Sequence, residues 1–188
     1  GEDLFPRDFI VSLPKPDNYI GSSKLFPLVY DPDHKSQISE ICDNIDSHDD
    51  ERKGWMPPRH RTSHHPRYKE SFDDIPPSLK EAIQSFLIAA AGAQIRKKDS
   101  LIHNTMLINV STWVNVHTII RRQVEEYVML LKRSLKNDSE FQNDSILYQI
   151  KILWEKEFIL KLDNKNETLY ESLNWEKLYN ELLDVANK

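Results

Sequence analysis

The sequence has one cysteine, four glycines and no long hydrophobic run, and each scarcity excludes a class of protein. A single cysteine, Cys42, cannot form a disulfide within the chain or build a cysteine-rich zinc site, which favours a reducing, cytoplasmic compartment. Because the four glycines are scattered, the sequence has no phosphate-binding glycine loop. No apolar run approaches the length that crosses a membrane, so we expect neither a membrane-spanning segment nor a signal peptide.

Length and charge set the next limits. The chain has 188 residues, of which 39% are hydrophobic and 29% charged, and its net charge is −5. This is enough for one domain with its own core, and we expect a single domain over residues 1–188 that is a fragment of a larger protein. A mildly acidic chain is not drawn to nucleic acid as a whole, so any such contact must come from a local basic patch.

The clearest pattern is a short apolar run followed by an amphipathic helix. Met106–Val110 is too short for a helix and contains β-branched residues, which predicts a buried strand. From about Trp113, apolar residues recur every three or four positions, which predicts a helix of roughly six turns. A strand that leads into a helix begins a βαβ unit, so the predicted fold class is α/β, predominantly helical, with a second strand at Asp8–Leu13. The apolar face of the helix comprises Val116, Ile120, Val124, Tyr127, Leu131 and Leu135.

Three more amphipathic helices are predicted. The first begins at Pro76-Pro77-Ser78, where proline suits a helix entrance and Ser78 and Glu81 have capping-box spacing, and it ends near Arg96. Two later helices have N-cap candidates at Ser139 and Asn174. The three apolar faces comprise Leu79, Ile83, Phe86, Leu87 and Ala90; Leu147, Ile150, Trp154 and Phe158; and Trp175, Leu178, Leu182 and Ala186.

Residues 43–74 lack periodicity and predict an irregular loop that is acidic first and basic afterwards. Its basic half could contact the phosphates of a nucleic acid, and Trp55 or Tyr68 could stack on a base. Trp55 is also predicted to anchor the loop. The alternative to nucleic-acid binding is that the basic half of the loop pairs with the acidic half. The candidate nucleic-acid-binding residues are Arg59, His60, Arg61, Arg67 and Lys69.

Histidines in the same loop suggest a metal site only weakly. His60, His64 and His65 are close in sequence, but nearby prolines argue against a helix that would align them. His103 and His117 flank the predicted strand, where a histidine is more often a structural hydrogen-bonding group than a base. We therefore predict no metal site, no catalytic residue and no cofactor in this chain.

Three polar residues follow the predicted strand, namely Asn109, Ser111 and Thr112. In parallel α/β sheets, ligands bind at the carboxyl ends of strands, and a helix N-terminus offers free N–H groups to a phosphate. The equally weighted alternative is that Ser111 or Thr112 only caps the helix.

Several separated motifs resemble the Z1 domain family, and the resemblance covers most of residues 8–160. Asn109 stands where a histidine is common in that family, and Thr112-Trp113 stands where Arg-Phe is frequent. The motifs that carry the resemblance are Tyr19-Ile20-Gly21, Trp55-Met56-Pro57-Pro58 with His60, Leu79 to Leu87, and His103 to Ser111 with Gln123 and Val124 in the next helix.

The resemblance implies a setting rather than a site. Z1 domains occur in large bacterial proteins described as endonucleases, which carry superfamily 2 helicase motifs and neighbour DNA methyltransferases in restriction-modification and phage-defence systems. The parent would be a DNA-dependent ATPase or endonuclease that uses ATP and Mg²⁺. The family has no established catalytic residues to carry over.

We therefore expect a non-catalytic domain that contacts DNA, or that couples motor lobes at the join to a second RecA-like lobe. Its partners would be DNA and the remaining helicase and nuclease domains, with no membrane. The alternative function is a protein-interaction module that docks another subunit through apolar helix faces around Trp154, Phe158, Trp175 and Leu182.

Overall fold

A computed structural model describes residues 54–57, 59–68, 74–97, 103–138, 144–159 and 174–187. The chain divides into two compact units, residues 1–40 and 41–188, and all of the described residues belong to the second. The predicted strand Asp8–Leu13, the acidic half of the loop, Lys69 and Ser139 lie outside the described residues. The prediction of one domain over residues 1–188 stays a prediction.

Four α-helices make up most of the regular structure of the described residues, which confirms the predominantly helical prediction for that part of the chain. They are α1 (Pro77–Arg96), α2 (Val114–Asn137), α3 (Ile146–Leu153) and α4 (Trp175–Asn187), and α3 continues as a π-helical segment, Trp154–Ile159. Helix α1 packs mainly against α4 and also against α3, while α2 packs against α3 and α4. None of the helices in the described ranges is long and apolar enough to cross a membrane.

The helix starts show which local signals are used. Helix α1 begins at Pro77 without a side-chain cap, so the predicted capping box of Ser78 and Glu81 is wrong. The predicted proline at the helix entrance is confirmed, because Pro77 is the first helical residue and its preset φ suits that position. The N–H of Leu79 donates to the carbonyl of Pro76. The predicted cap at Asn174 is confirmed, because its Oδ1 accepts the N–H of Lys177 at 2.9 Å. Ser145 caps α3 in the same way, at 3.0 Å from the N–H of Tyr148, so the prediction that Ser139 opens this helix is wrong.

One apolar core lies between the helices. The predicted face of α2 is confirmed, since five of its six residues are buried and Val124 packs against the core half-buried. Helices α1, α3 and α4 contribute Leu79, Ile83, Ile88, Ala91, Leu147, Ile150, Leu178 and Leu182. The side chain of Gln84 is also buried, and its Nε2 donates to the hydroxyl of Tyr127 at 2.8 Å. Burial raises the pKa of Tyr127 to about 12, so this tyrosine stays neutral.

The predicted strand Met106–Val110 is wrong for the described residues. Side-chain burial does alternate there, with Met106, Ile108 and Val110 against the core and Leu107 85% exposed. A strand also needs a neighbour that pairs with its backbone. None of the backbone hydrogen bonds recorded among the described residues involves 103–110, so the alternation produces packing without a sheet. The described part is helical rather than α/β.

Candidate nucleic-acid interface

Residues 54–68, which we call the docked loop, lie against α2. Gly54 begins it with a φ of 113°, a left-handed value that glycine adopts without a steric penalty. Trp55 follows and is 1% exposed, which confirms it as the anchor of the loop. Its indole N–H donates to Oε1 of Gln123 at 2.9 Å, and Nε2 of Gln123 donates to the carbonyl of Pro66 at 2.9 Å. One buried glutamine on α2 therefore holds both ends of the loop.

Histidines add further attachments within and beyond the docked loop. Nε2 of His64 donates to the carbonyl of Trp55 at 2.9 Å, and Nδ1 of His60 donates to the carbonyl of Pro57 at 2.8 Å. The other ring nitrogen of His60 lies 2.8 Å from Oγ of Ser111, just before α2. These bonds fix an irregular backbone that has no regular secondary structure of its own.

The first turn of α2 contacts the same loop. The indole N–H of Trp113 donates to the carbonyl of His60 at 3.3 Å, and the Asn115 amide donates to Oγ1 of Thr62 at 3.3 Å. Trp113 therefore lies beside the backbone stretch that carries Arg59 and Arg61 on either side of His60. Sequence neighbours of a fixed residue are restrained with it, so these cations stand on a defined surface.

The cationic side chains of the docked loop point to solvent. Arg59, Arg61, His65 and Arg67 are exposed, and no salt bridge found among the described residues involves Arg59 or Arg61. Exposed arginines can contact phosphate. The acidic half of the loop lies outside the described residues, so its pairing with the basic half stays an untested alternative.

The aromatic partner predicted for this surface needs correction. Trp55 is 1% exposed and Tyr68 is 7% exposed, so neither can stack on a nucleic-acid base. Both side chains pack into the core beneath the loop. Trp113 is 42% exposed and is the aromatic residue that the structure places at the solvent edge of this surface.

The polar residues that precede α2 behave differently from one another. Asn109 and Thr112 are exposed, while Ser111 is half-buried. Helix α2 has no side-chain cap at its first turn, so the alternative of simple capping by Ser111 or Thr112 is wrong. Oγ of Ser111 accepts the N–H of Trp113 at 3.1 Å, which is a turn bond before the helix.

Histidine chemistry in the docked loop is shaped by burial. Desolvation is the largest effect and lowers the pKa of His64 below its ordinary value of 6.5, and the neighbouring side chains of His60, His65 and Arg67 lower it slightly further. The hydrogen bond to the carbonyl of Trp55 raises the pKa of His64, but this effect is smaller than the effect of desolvation. Among the described residues, no group of three or more His, Cys, Asp or Glu side chains is arranged to hold a metal ion.

Two residues of this surface escaped the sequence patterns. Gln123 is polar but 0% exposed, and its partners lie 57 and 68 residues earlier in the chain. At Trp113 the apolar period indicates only the start of a helix. A signal did exist for Gln123, because it lies on the same helical face as Val116, Ile120 and Tyr127. A polar residue on an apolar face indicates a buried hydrogen bond.

Comparison with known proteins places the chain in a family. Comparisons with curated proteins and with solved structures found no match. The family model described as the Z1 domain matches residues 78–188, which includes all four helices. Trp55-Met56-Pro57-Pro58 precedes the matched range, whereas the last helix, which follows the 8–160 range of the noted resemblance, falls within it. The chain belongs to the Z1 domain family.

Proposed function

We propose that this Z1 domain contacts DNA through the docked loop and the start of α2, as part of a larger helicase-like protein of bacterial restriction-modification or phage defence. The observation that carries the proposal is the placement of exposed Arg59 and Arg61 beside the half-exposed indole of Trp113. Arginine supplies the sequence-independent phosphate contact, and an aromatic face supplies stacking to an unpaired base.

Rigidity of the loop supports this use. The two arginines flank His60, whose ring and backbone bond to residues on both sides of the interface. A cation held on a fixed backbone loses less conformational entropy on binding than one on a free tail. Because the net charge of the whole chain is −5, binding would be local and would respond to single substitutions.

The wider role is also part of this proposal. The parent would use ATP and Mg²⁺ in its helicase domains, with DNA methyltransferases as functional neighbours, and this domain would couple its motor lobes. The join to a RecA-like lobe was expected because a strand was predicted to lead into α2, and it loses that support because the described residues form no strand.

The test is fluorescence anisotropy with labelled duplex and single-stranded DNA across a salt series. The Arg59→Ala, Arg61→Ala double variant should lower the slope of log affinity against log salt by about 2 for duplex DNA, because each lost phosphate contact removes roughly 0.9. The matched control is Arg96→Ala, Lys97→Ala, which removes the same charge from exposed positions at the end of α1.

A second variant examines stacking separately. Trp113→Ala should weaken single-stranded binding by about 1–3 kcal/mol and affect duplex binding less. Absence of wild-type binding at low salt would refute the proposal. An equal loss in the control double variant would also refute it, because it would mean that net charge and not this surface is responsible.

A second candidate function, protein docking, is favoured by different residues from those first expected. Leu182 is buried, and Trp154, Phe158 and Trp175 pack half-buried against the core, so they are not free for a partner. Leu107 at 85% exposure and Val114 at 79% are the most exposed of the large apolar side chains in the described residues, and both lie near the start of α2. Docking there would be insensitive to salt and would be abolished by Leu107→Lys.

A further inference from the structure

Ser111 and His60 form a pair whose geometry suits chemistry as well as attachment. Oγ of Ser111 lies 2.8 Å from Nε2 of His60, and Nδ1 of His60 lies 2.8 Å from the carbonyl oxygen of Pro57. A nucleophile bonded to a base, and a base bonded to an orienting group, is the arrangement that activates serine hydroxyls in enzymes. Both side chains are half-buried, so neither is sealed from a substrate.

The carbonyl of Pro57 determines which way the proton can move. A carbonyl only accepts, so Nδ1 of His60 carries the hydrogen, and in the neutral ring Nε2 has a free lone pair. The Ser111 hydroxyl must then be the donor of the 2.8 Å bond. This tautomer and direction allow His60 to remove a proton from Ser111.

The surroundings of Oγ favour its negatively charged form. The backbone N–H of Trp113 donates to Oγ at 3.1 Å, so an amide dipole already faces the atom that would become an alkoxide. The first backbone bond of α2 runs from the N–H of His117 to Trp113, which leaves the amides of residues 114–116 without an acceptor inside the helix. Such amides are suitable donors to an oxyanion.

An open groove begins at His117, whose ring is bonded to the backbone of Ser111. It has a volume of about 400 Å³ and lies between residues 106–108 and α2. His117 lines it, and Nε2 of His117 donates to the carbonyl of Ser111 at 2.6 Å, which links the groove to the serine. Most of the other lining residues are apolar, which suits an aliphatic chain, although the groove also has polar walls. The apolar ones are Met106, Ile108, Val114, Ile120 and Val124, and the polar ones are Thr118, Arg121 and Glu125.

We propose that Ser111 is the nucleophile and His60 the general base of an esterase site that accepts carboxylic esters with an aliphatic acyl chain. Ser111 Oγ forms a bond to the acyl carbon while its proton passes to His60. The tetrahedral intermediate then expels the alcohol, which takes that proton, and leaves an acyl-serine. Water attacks this ester, His60 takes the proton of the water and returns it to Ser111, and the carboxylic acid departs.

This activity goes beyond the DNA contact proposed above and revises the expectation of a domain without chemistry of its own. The two proposals rest on different side chains. DNA contact depends on the exposed Arg59, Arg61 and Trp113 indole, whereas the esterase site depends on the ring of His60 and the hydroxyl of Ser111. Either can therefore fail alone.

The experiment has two readouts on the full chain, namely labelling by an alkyl fluorophosphonate and hydrolysis of p-nitrophenyl esters. Mass spectrometry of the digested protein should locate the phosphonate adduct on Ser111. Ser111→Ala should remove it, and His60→Gln should slow it by at least about 100-fold, since general-base catalysis contributes roughly 10²–10⁴. Ser63→Ala, an exposed serine in the docked loop, is the matched control and should change nothing.

Ester length tests the groove. The p-nitrophenyl hexanoate should be hydrolysed faster than the acetate. Val114→Arg should reduce that preference, because Val114 lines the groove. The substitution should not disturb the fold, because Val114 is 79% exposed. Equal rates for the two esters would show that the groove does not bind the acyl chain. Labelling of Ser111 no faster than that of Ser63 would overturn the proposal.

His60→Gln also breaks a structural bond, so its helix content is compared with the wild type by circular dichroism. If the His60→Gln variant unfolds, the pH dependence of labelling in the wild-type protein tests whether a histidine acts as the base. A histidine base gives a rate that rises and then levels off between about pH 5 and 8. A rate that increases tenfold per pH unit without a plateau marks an ordinary serine and refutes the proposal.

Discussion

The two ends of α2 are held to the protein by different kinds of contact. Its C-terminal half packs Tyr127, Leu131 and Leu135 into the core against α3 and α4. Its N-terminal half also buries Val116 and Ile120, but in addition it bonds to the docked loop through polar groups, with Gln123 as the central donor and acceptor. Apolar burial is non-directional and tolerates small shifts, whereas hydrogen bonds require defined positions. The polar bonds of the N-terminal half therefore position the exposed residues of the interface, while apolar burial along the helix supplies stability.

The largest expected effect lies in the apolar half. Leu131→Ala should lower the free energy of unfolding by about 2–5 kcal/mol, because it deletes a side chain that is 0% exposed and leaves a cavity. Urea unfolding followed by circular dichroism measures this. The control is the adjacent Leu130→Ala at 53% exposure, for which a change within about 0.5 kcal/mol is expected. Equal losses at both positions would show that α2 is not packed on this face.

The contrast between the two halves also separates what the sequence predicts from what it does not. The apolar face of α2 could be predicted because packing repeats with the period of the helix, which is a local property. The asparagine cap at Asn174 is local in the same sense, and it is confirmed. Likewise the cation-rich loop and its Trp55 anchor are visible in composition.

Other features depend on partners far away in the chain. Gln123 is buried because Trp55 and Pro66 approach it from 68 and 57 residues earlier. The run Met106–Val110 has a strand pattern, but a strand requires a neighbour that no local pattern supplies. Ser78 and Glu81 have the spacing of a capping box, but the helix already begins at Pro77, so Ser78 lies inside the helix and cannot be its N-cap. The aromatic residue at the interface was misassigned because stacking depends on exposure, which reflects the tertiary fold.

The second prediction concerns the polar half. Gln123→Leu should cost about 1–3 kcal/mol, because it leaves the Trp55 indole N–H and the Pro66 carbonyl buried without the partners that Gln123 provides. The loss should be local, so trypsin should cut after Arg59 and Arg61 faster than in the wild type. Gln149→Leu, at an exposed position on α3, is the control and should leave cleavage unchanged. Unaltered cleavage in Gln123→Leu would mean that the loop is held by its histidines alone.

The smallest expected effect is a pH dependence confined to the docked loop. The pKa of His64 is lowered on folding, so the unfolded chain binds a proton more readily than the folded one. The stability contribution of His64 is then fully present above about pH 6.5, its unfolded value, and is lost as the pH falls towards the folded pKa.

Trypsin cleavage at Arg61 should therefore quicken below pH 6.5, relative to an internal standard peptide that corrects for the pH dependence of the protease. His64→Gln removes the titrating group and should flatten the profile, even though its loop is looser at every pH. His65→Gln, whose ring is exposed and bonded only to Ser63 within the same turn, should retain the wild-type profile. If His65→Gln flattens the profile instead, the pH response arises from mutual repulsion of the histidines and not from the burial of His64, and the polar half of α2 would be held more loosely than its hydrogen bonds imply.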